Sequence, residues 1–124
     1  MRANEEITCT ETEGAIYTDE RVIQVAMKEP NAPMEYTLRL FRIGDIMFQG
    51  IDAEIVTSIG QAVMETSPYD NTILVTLANG YKGYCADEWE AEHEAFEWNA
   101  NAIPGEWQKD FTETFTEMFS EIDE

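Results

Sequence analysis

Apolar positions alternate with polar ones in some stretches of the chain and recur every three or four residues in others, which divides it into strands and helices. Residues 21–27 (RVIQVAM) are rich in β-branched side chains and read as a first strand, ended by a loop containing Pro30 and Pro33. Residues 35–43 (EYTLRLFRI) alternate, placing Tyr36, Leu38, Leu40 and Arg42 on one side and Thr37, Arg39, Phe41 and Ile43 on the other. Gly44-Asp45 is a turn, and residues 46–51 (IMFQGI) run back as a hairpin partner. The period then changes. Asp52 is expected to cap a helix reaching about Thr66, with Glu54 in the first turn where the helix dipole favours a carboxylate. Ile55, Val56, Ile59, Ala62 and Val63 form its apolar stripe. After a loop, residues 72–77 (TILVTL) are a short apolar strand, so this part of the chain predicts a βαβ unit with a right-handed crossover.

Beyond that strand, Asn79, Gly80, Tyr81, Gly83 and Tyr84 make a polar, aromatic loop in the place where α/β proteins collect their sites. Residues 86–96 (ADEWEAEHEAF) are strong helix formers whose apolar side is limited to Trp89 and Phe96. Residues 106–122 predict an amphipathic helix with Trp107, Phe111, Phe115, Met118, Phe119 and Ile122 on one face. The expected fold class is α/β: a sheet of about four strands with a βαβ unit, packed on two to three helices, the last strongly amphipathic. Residues 1–20 are an acidic segment, either disordered or an edge strand, and residues 21–124 form a single domain.

Charge narrows the function classes. The chain has 26 acidic and 7 basic residues, a net of −19, which argues against nucleic acid and anionic membrane as partners. The same excess suits a basic protein partner or cations. Cys9 and Cys85 are far apart and lack metal-ligand spacing, so they read as idle or buried thiols and not as a bridge. The first residues carry no apolar signal-peptide region and nothing approaches 18 consecutive apolar residues, so a cytoplasmic protein without a membrane span is expected.

The ordered series RIGDIMFQGIDAE, a helix, TILVTLANGYKGY, FEWNANAIPG and a last helix resembles the neutral/alkaline ceramidase family. The likeness is to the C-terminal part of that family's zinc amidase domain and runs roughly from Leu38 to Met118. Family members show an R-I-G-D-like strand, a P-G-E motif, a strand ending in N-x-Y-x-x-Y and a closing helix. The resemblance implies that Glu54, in I-D-A-E where the family has P-G-E, and Tyr84, the second tyrosine of N-G-Y-K-G-Y, stand at zinc-ligand positions. Asn79 and Tyr81 would line the same site. Phe96 stands where the family has a tyrosine that donates to the developing oxyanion, and it has no hydroxyl. The family's two zinc-binding histidines belong to an upstream part of the domain, and the one histidine of this chain, His93, lies in the acidic helix.

The function expected from this reading is a ceramidase-like domain lacking the histidine ligands. It is either inactive alone or completed by a companion chain, or another copy, for zinc-dependent amide hydrolysis. An acidic interaction module for a basic partner is the alternative. A weaker third is a cation site on the helix face with His93, Glu90, Glu94 and Glu97.

Overall fold

The alternating half of the chain forms long hairpins. In the computed structural model, which describes residues 16–93 and 99–122, β1 (Ile16–Val25) and β2 (Met34–Ile43) pair antiparallel along their whole length. Ile16 lies opposite Ile43 and Val25 opposite Met34. The strand expected from Arg21 therefore begins at Ile16. Its early inward residues escape hydrophobic patterning because they are polar: Arg21 reaches Asp19 at 3.1 Å, Glu117 at 3.5 Å and Glu121 at 2.7 Å.

β2 turns through Gly44-Asp45 into β3 (Ile46–Ile51), followed by the two-residue strand β4 (Glu54–Ile55), helix α1 (Thr57–Glu65) and β5 (Asn71–Val75). β3 is antiparallel to β2 and parallel to β5, so β3, α1 and β5 are the expected βαβ unit in a mixed sheet of order β1-β2-β3-β5. β6 (Tyr84–Cys85) pairs with β4 in a separate parallel ladder, and α2 (Glu88–Glu92) and α3 (Glu106–Ser120) follow. The fold is α/β, with the helices on one face of the sheet.

Two helix starts differ from expectation. α1 begins at Thr57 behind Val56, which makes no side-chain cap, so Asp52 is not an N-cap and Glu54 is not in a first turn. Asp52 is only 4% exposed, and its Oδ1 accepts the Thr37 backbone N–H at 3.0 Å. A carboxylate ahead of an apolar stripe signals a cap, but here a neighbouring strand offers the donor and β6 keeps residues 54–55 extended. α2 covers only Glu88–Glu92, capped by Asp87, whose Oδ1 accepts the Glu90 N–H at 2.9 Å. Trp89, expected on its apolar side, is 61% exposed and stacks on His93 with ring centres 4.0 Å apart. Five residues make little more than one turn, too short to present an apolar face.

The core lies between the inner sheet face and helices α1 and α3. Tyr36, Leu38, Leu40, Met47 and Ile51 pack against Ile59 and Val63 of α1 and Trp107, Phe111, Phe115 and Met118 of α3, all buried. This is the side of β2 that alternation predicts. Within it, the Trp107 indole donates to the Tyr36 hydroxyl at 2.9 Å, and Tyr36 meets Phe111 edge-on at 5.3 Å. Gln49 is buried mid-sheet and donates to the Val63 carbonyl at 3.1 Å, tying β3 to the end of α1. No helix among the described residues is long and apolar enough to cross a membrane.

Candidate functional site

β3 and β5 are parallel, so their C-terminal ends reach the same edge of the sheet, and the site is assembled there from the two segments that leave them. A series of backbone hydrogen bonds zips the segments together. Ala78 N donates to Ile51 O at 2.9 Å, Leu77 N to Ala53 O at 3.1 Å, and Lys82 N to Asp52 O at 2.8 Å. Glu54 N then donates to Gly83 O at 2.9 Å and Val56 N to Cys85 O at 3.1 Å. The register places Glu54 directly opposite Tyr84 and Ile55 opposite Cys85. Paired residues of a parallel ladder project to the same side, with the strands about 4.8 Å apart. Glu54 and Tyr84, both half-buried, thus face one way, while the fully buried Cys85 faces the core.

The loop between them is bent by its backbone. Leu77 and Asn79 both have positive φ, 56° and 58°, which ends β5 at Val75 and not at Leu77. A left-handed conformation costs a non-glycine residue about 1–2 kcal/mol, which the ladder of hydrogen bonds offsets. Gly80 then passes over Asp52 so closely that a Cβ there would lie 3.1 Å from the Asp52 Cβ. Arg39 holds the loop from the sheet side, its Nη1 donating to Ala78 O at 3.1 Å.

The other expected site residues are dispersed. Asn79 is exposed and borders a depression of about 540 Å³ with Asp19, Glu20, Arg39 and Phe41. Tyr81 is exposed at the loop tip. His93 ends α2, its Nδ1 donating to the Trp89 carbonyl at 2.7 Å. Phe96, Glu94 and Glu97 lie outside the described residues, so neither the oxyanion position nor the helix-face cation site is placed.

Glu54 and Tyr84 do not fit a zinc ion by themselves. A catalytic zinc takes three protein ligands and a water, and a phenol is a good ligand only when deprotonated. Among the described residues no three His, Cys, Asp or Glu side chains gather as a metal site. The adjacent Cys85 cannot serve, because burial pushes its thiol up to about 12 and it faces the core. Glu54 and Tyr84 are two oxygen donors, one short of the three protein ligands a catalytic zinc takes.

A second concavity escaped the sequence reading. A cavity of about 380 Å³ opens between α1, α2 and α3, lined by Ser58, Asp87, Trp89, Gln108, Lys109 and Thr112 among others. Ser58 Oγ donates to Asp87 Oδ2 at 2.5 Å, joining the starts of α1 and α2. That hydroxyl, with the Glu90 N–H, holds the Asp87 carboxyl below its ordinary range. The sequence reading named neither Asp87 as the cap of this helix nor its bond to Ser58, 29 residues away.

No model of a known protein family matches the sequence, and neither does any curated protein. Solved structures do. A ceramidase complexed with C2 aligns over 73% of this chain at 24% identity with a TM-score of 0.57. The neutral ceramidase from Pseudomonas aeruginosa aligns over 74%, also at 24% identity, with a TM-score of 0.56. The chain spans 16% of the length of each. It has the fold of a part of a ceramidase, as the resemblance implies.

Proposed function

We propose that this chain is a ceramidase-like domain that contributes Glu54 and Tyr84 to a zinc-dependent amide-hydrolase centre whose histidines come from another polypeptide. By itself it is catalytically silent. The observation that carries this reading is the parallel register that sets Glu54 opposite Tyr84, two residues 30 positions apart, beyond the ends of the βαβ strands. The chemistry a complete centre would supply is polarisation of an amide carbonyl and activation of water.

Free imidazole can stand in for the absent histidines. Cobalt(II) added with imidazole is expected to give the intense visible absorption of a four-coordinate site, lost in Glu54→Gln and in Tyr84→Phe. Spectra unchanged in both variants would remove the pair from any metal site. Turnover of an N-acyl sphingosine by the chain and zinc alone would remove the claim that it is silent. The charge of −19 favours a second reading, an acidic module for a basic protein. Salt-sensitive binding of a lysine-rich peptide, unaffected by Glu54→Gln and Tyr84→Phe, would support that one.

A further inference from the structure

The sheet has a second face, and no helix among the described residues covers it. Its residues follow from the register: Ile16, Ile43 and Ile46 form one row across β1, β2 and β3, and Phe41, Phe48 and Ile73 the next across β2, β3 and β5. Arg39, Gly50 and Val75 form a third row. Phe41 is 39% exposed, Ile43 47% and Ile73 48%, although all three sit mid-sheet or at strand ends beside other apolar side chains. Phe41 and Phe48 stack with their centroids 5.9 Å apart. Between the rows, the missing side chain of Gly50 leaves an apolar notch of about 190 Å³ walled by Arg39, Phe41, Phe48, Val75 and Ala78.

We infer that this face is a self-association surface on which a second copy of the chain stacks its own open face. Area is the first argument. The exposed parts of the apolar side chains in these rows come to on the order of 500 Å², since a large apolar residue offers about 150–250 Å² in full. That is near the top of the range for the largest apolar patch on a monomer, and most of the roughly 800 Å² each partner gives to a standard interface.

Charge is the second argument, and it selects the occupant. The outward positions of the four strands carry only Glu20, Glu35 and Arg39, two acids and one base, for a net of −1 in a chain of −19. Arg39 is paired with Glu20 at 3.0 Å, and Glu35 accepts from Gln24 at 3.2 Å. Among the described residues this face carries little of the acidic excess, so a second copy can approach it with little repulsion at the contact. A basic partner would find nothing there to complement. Aligned stacking of two such sheets at about 10 Å brings the apolar rows together and offers each notch a side chain of the other copy, as an isologous contact requires.

The remaining negative charge lies outside the face, so the copies still repel at long range. Salt should relieve this, because the screening length falls from about 30 Å at 0.01 M to about 8 Å at 0.15 M. The test is analytical ultracentrifugation of the 124-residue chain, of mass 14.2 kDa, across salt concentrations. We expect twice that mass at micromolar concentration, with a dissociation constant that falls several-fold as salt rises. Phe41→Glu and Ile73→Glu should each weaken association at least tenfold while leaving the circular dichroism spectrum unchanged, since both positions are part-exposed.

A monomer at 100-micromolar-order concentrations in high salt would overturn the inference and leave the face to residues 1–15 or to another polypeptide. A dimer that loosens with salt, or that both variants leave intact, would overturn it as well. None of these results bears on the cobalt experiment, so this inference and the metal reading fail separately.

Discussion

Replacing Asp52 by alanine probes the joint on which the candidate site depends. Its Oδ1 accepts the Thr37 N–H at 3.0 Å, its carbonyl accepts from Lys82 at 2.8 Å, and Gly80 lies over its Cβ. Alanine keeps the backbone bond and removes the side-chain one, leaving the Thr37 N–H without its acceptor beneath the loop. A hydrogen bond to a charged group is worth about 1.5–3 kcal/mol. For a chain of this size each kcal/mol lowers Tm by about 4 °C, so Asp52→Ala should cost about 2 kcal/mol and about 8 °C.

One opposing effect must be separated. Removing a carboxylate from a chain of −19 relieves self-repulsion, and Asp52→Asn does so equally while retaining an acceptor oxygen. The difference between the two variants therefore isolates the hydrogen bond. Urea unfolding should place Asn between wild type and Ala, at least about 1 kcal/mol above Ala. Because the same joint sets the β4–β6 register, the cobalt spectrum should also weaken in Asp52→Ala. Equal stability of the two variants, or a loss below about 0.5 kcal/mol in Ala, would refute the assignment of Asp52 as the pivot of the loop.

Burial raises the Cys85 thiol to about 12 and raises the Tyr36 phenol above its ordinary value, so both groups keep their protons in the folded chain where the unfolded chain releases them. Stability conferred by the protonated thiol is therefore present below its unfolded value near 9 and is lost as pH rises towards 12; unfolding by urea at a series of alkaline pH values should show the decline, and in Cys85→Ala it should become shallower and begin only near pH 10, where the Tyr36 contribution sets in. In a Cys9→Ser background, native Cys85 should resist a thiol-reactive disulfide at pH 8 and react fully in denaturant. Gly105 precedes α3 with φ 85°, and a Cβ there would lie 2.7 Å from Glu88 Oε1. Gly105→Ala should lower stability by about 1–2 kcal/mol in thermal unfolding, and an unchanged Tm would refute the left-handed cap.

Particular residues show where sequence reasoning reached and where it stopped. The two faces of β2, the βαβ unit and the buried stripe of α3 follow from side-chain periodicity, because burial on one face imposes a period of two on a strand and 3.6 on a helix. Glu54 and Tyr84 came from the resemblance of the ordered motifs to a ceramidase, and solved ceramidases align over 73% and 74% of the chain. What the sequence did not contain was the partner of each polar group. Asp52 had the local character of a helix cap, and only the approach of Thr37 and Gly80 made it a buried pivot. Trp89 was placed on the limited apolar side of its helix, yet α2 is too short to bury it.

The opposition of Glu54 and Tyr84 is likewise a product of pairing between β4 and β6, which ladder hydrogen bonds set across 29 intervening residues. The outward alternation of Phe41 and Ile43 was legible in the sequence, but its joining with Phe48 and Ile73 into one apolar face was not. Local pattern determines which residues turn away from water. Which of them meet is decided by strand order and register, because those depend on the packing of segments distant in the chain.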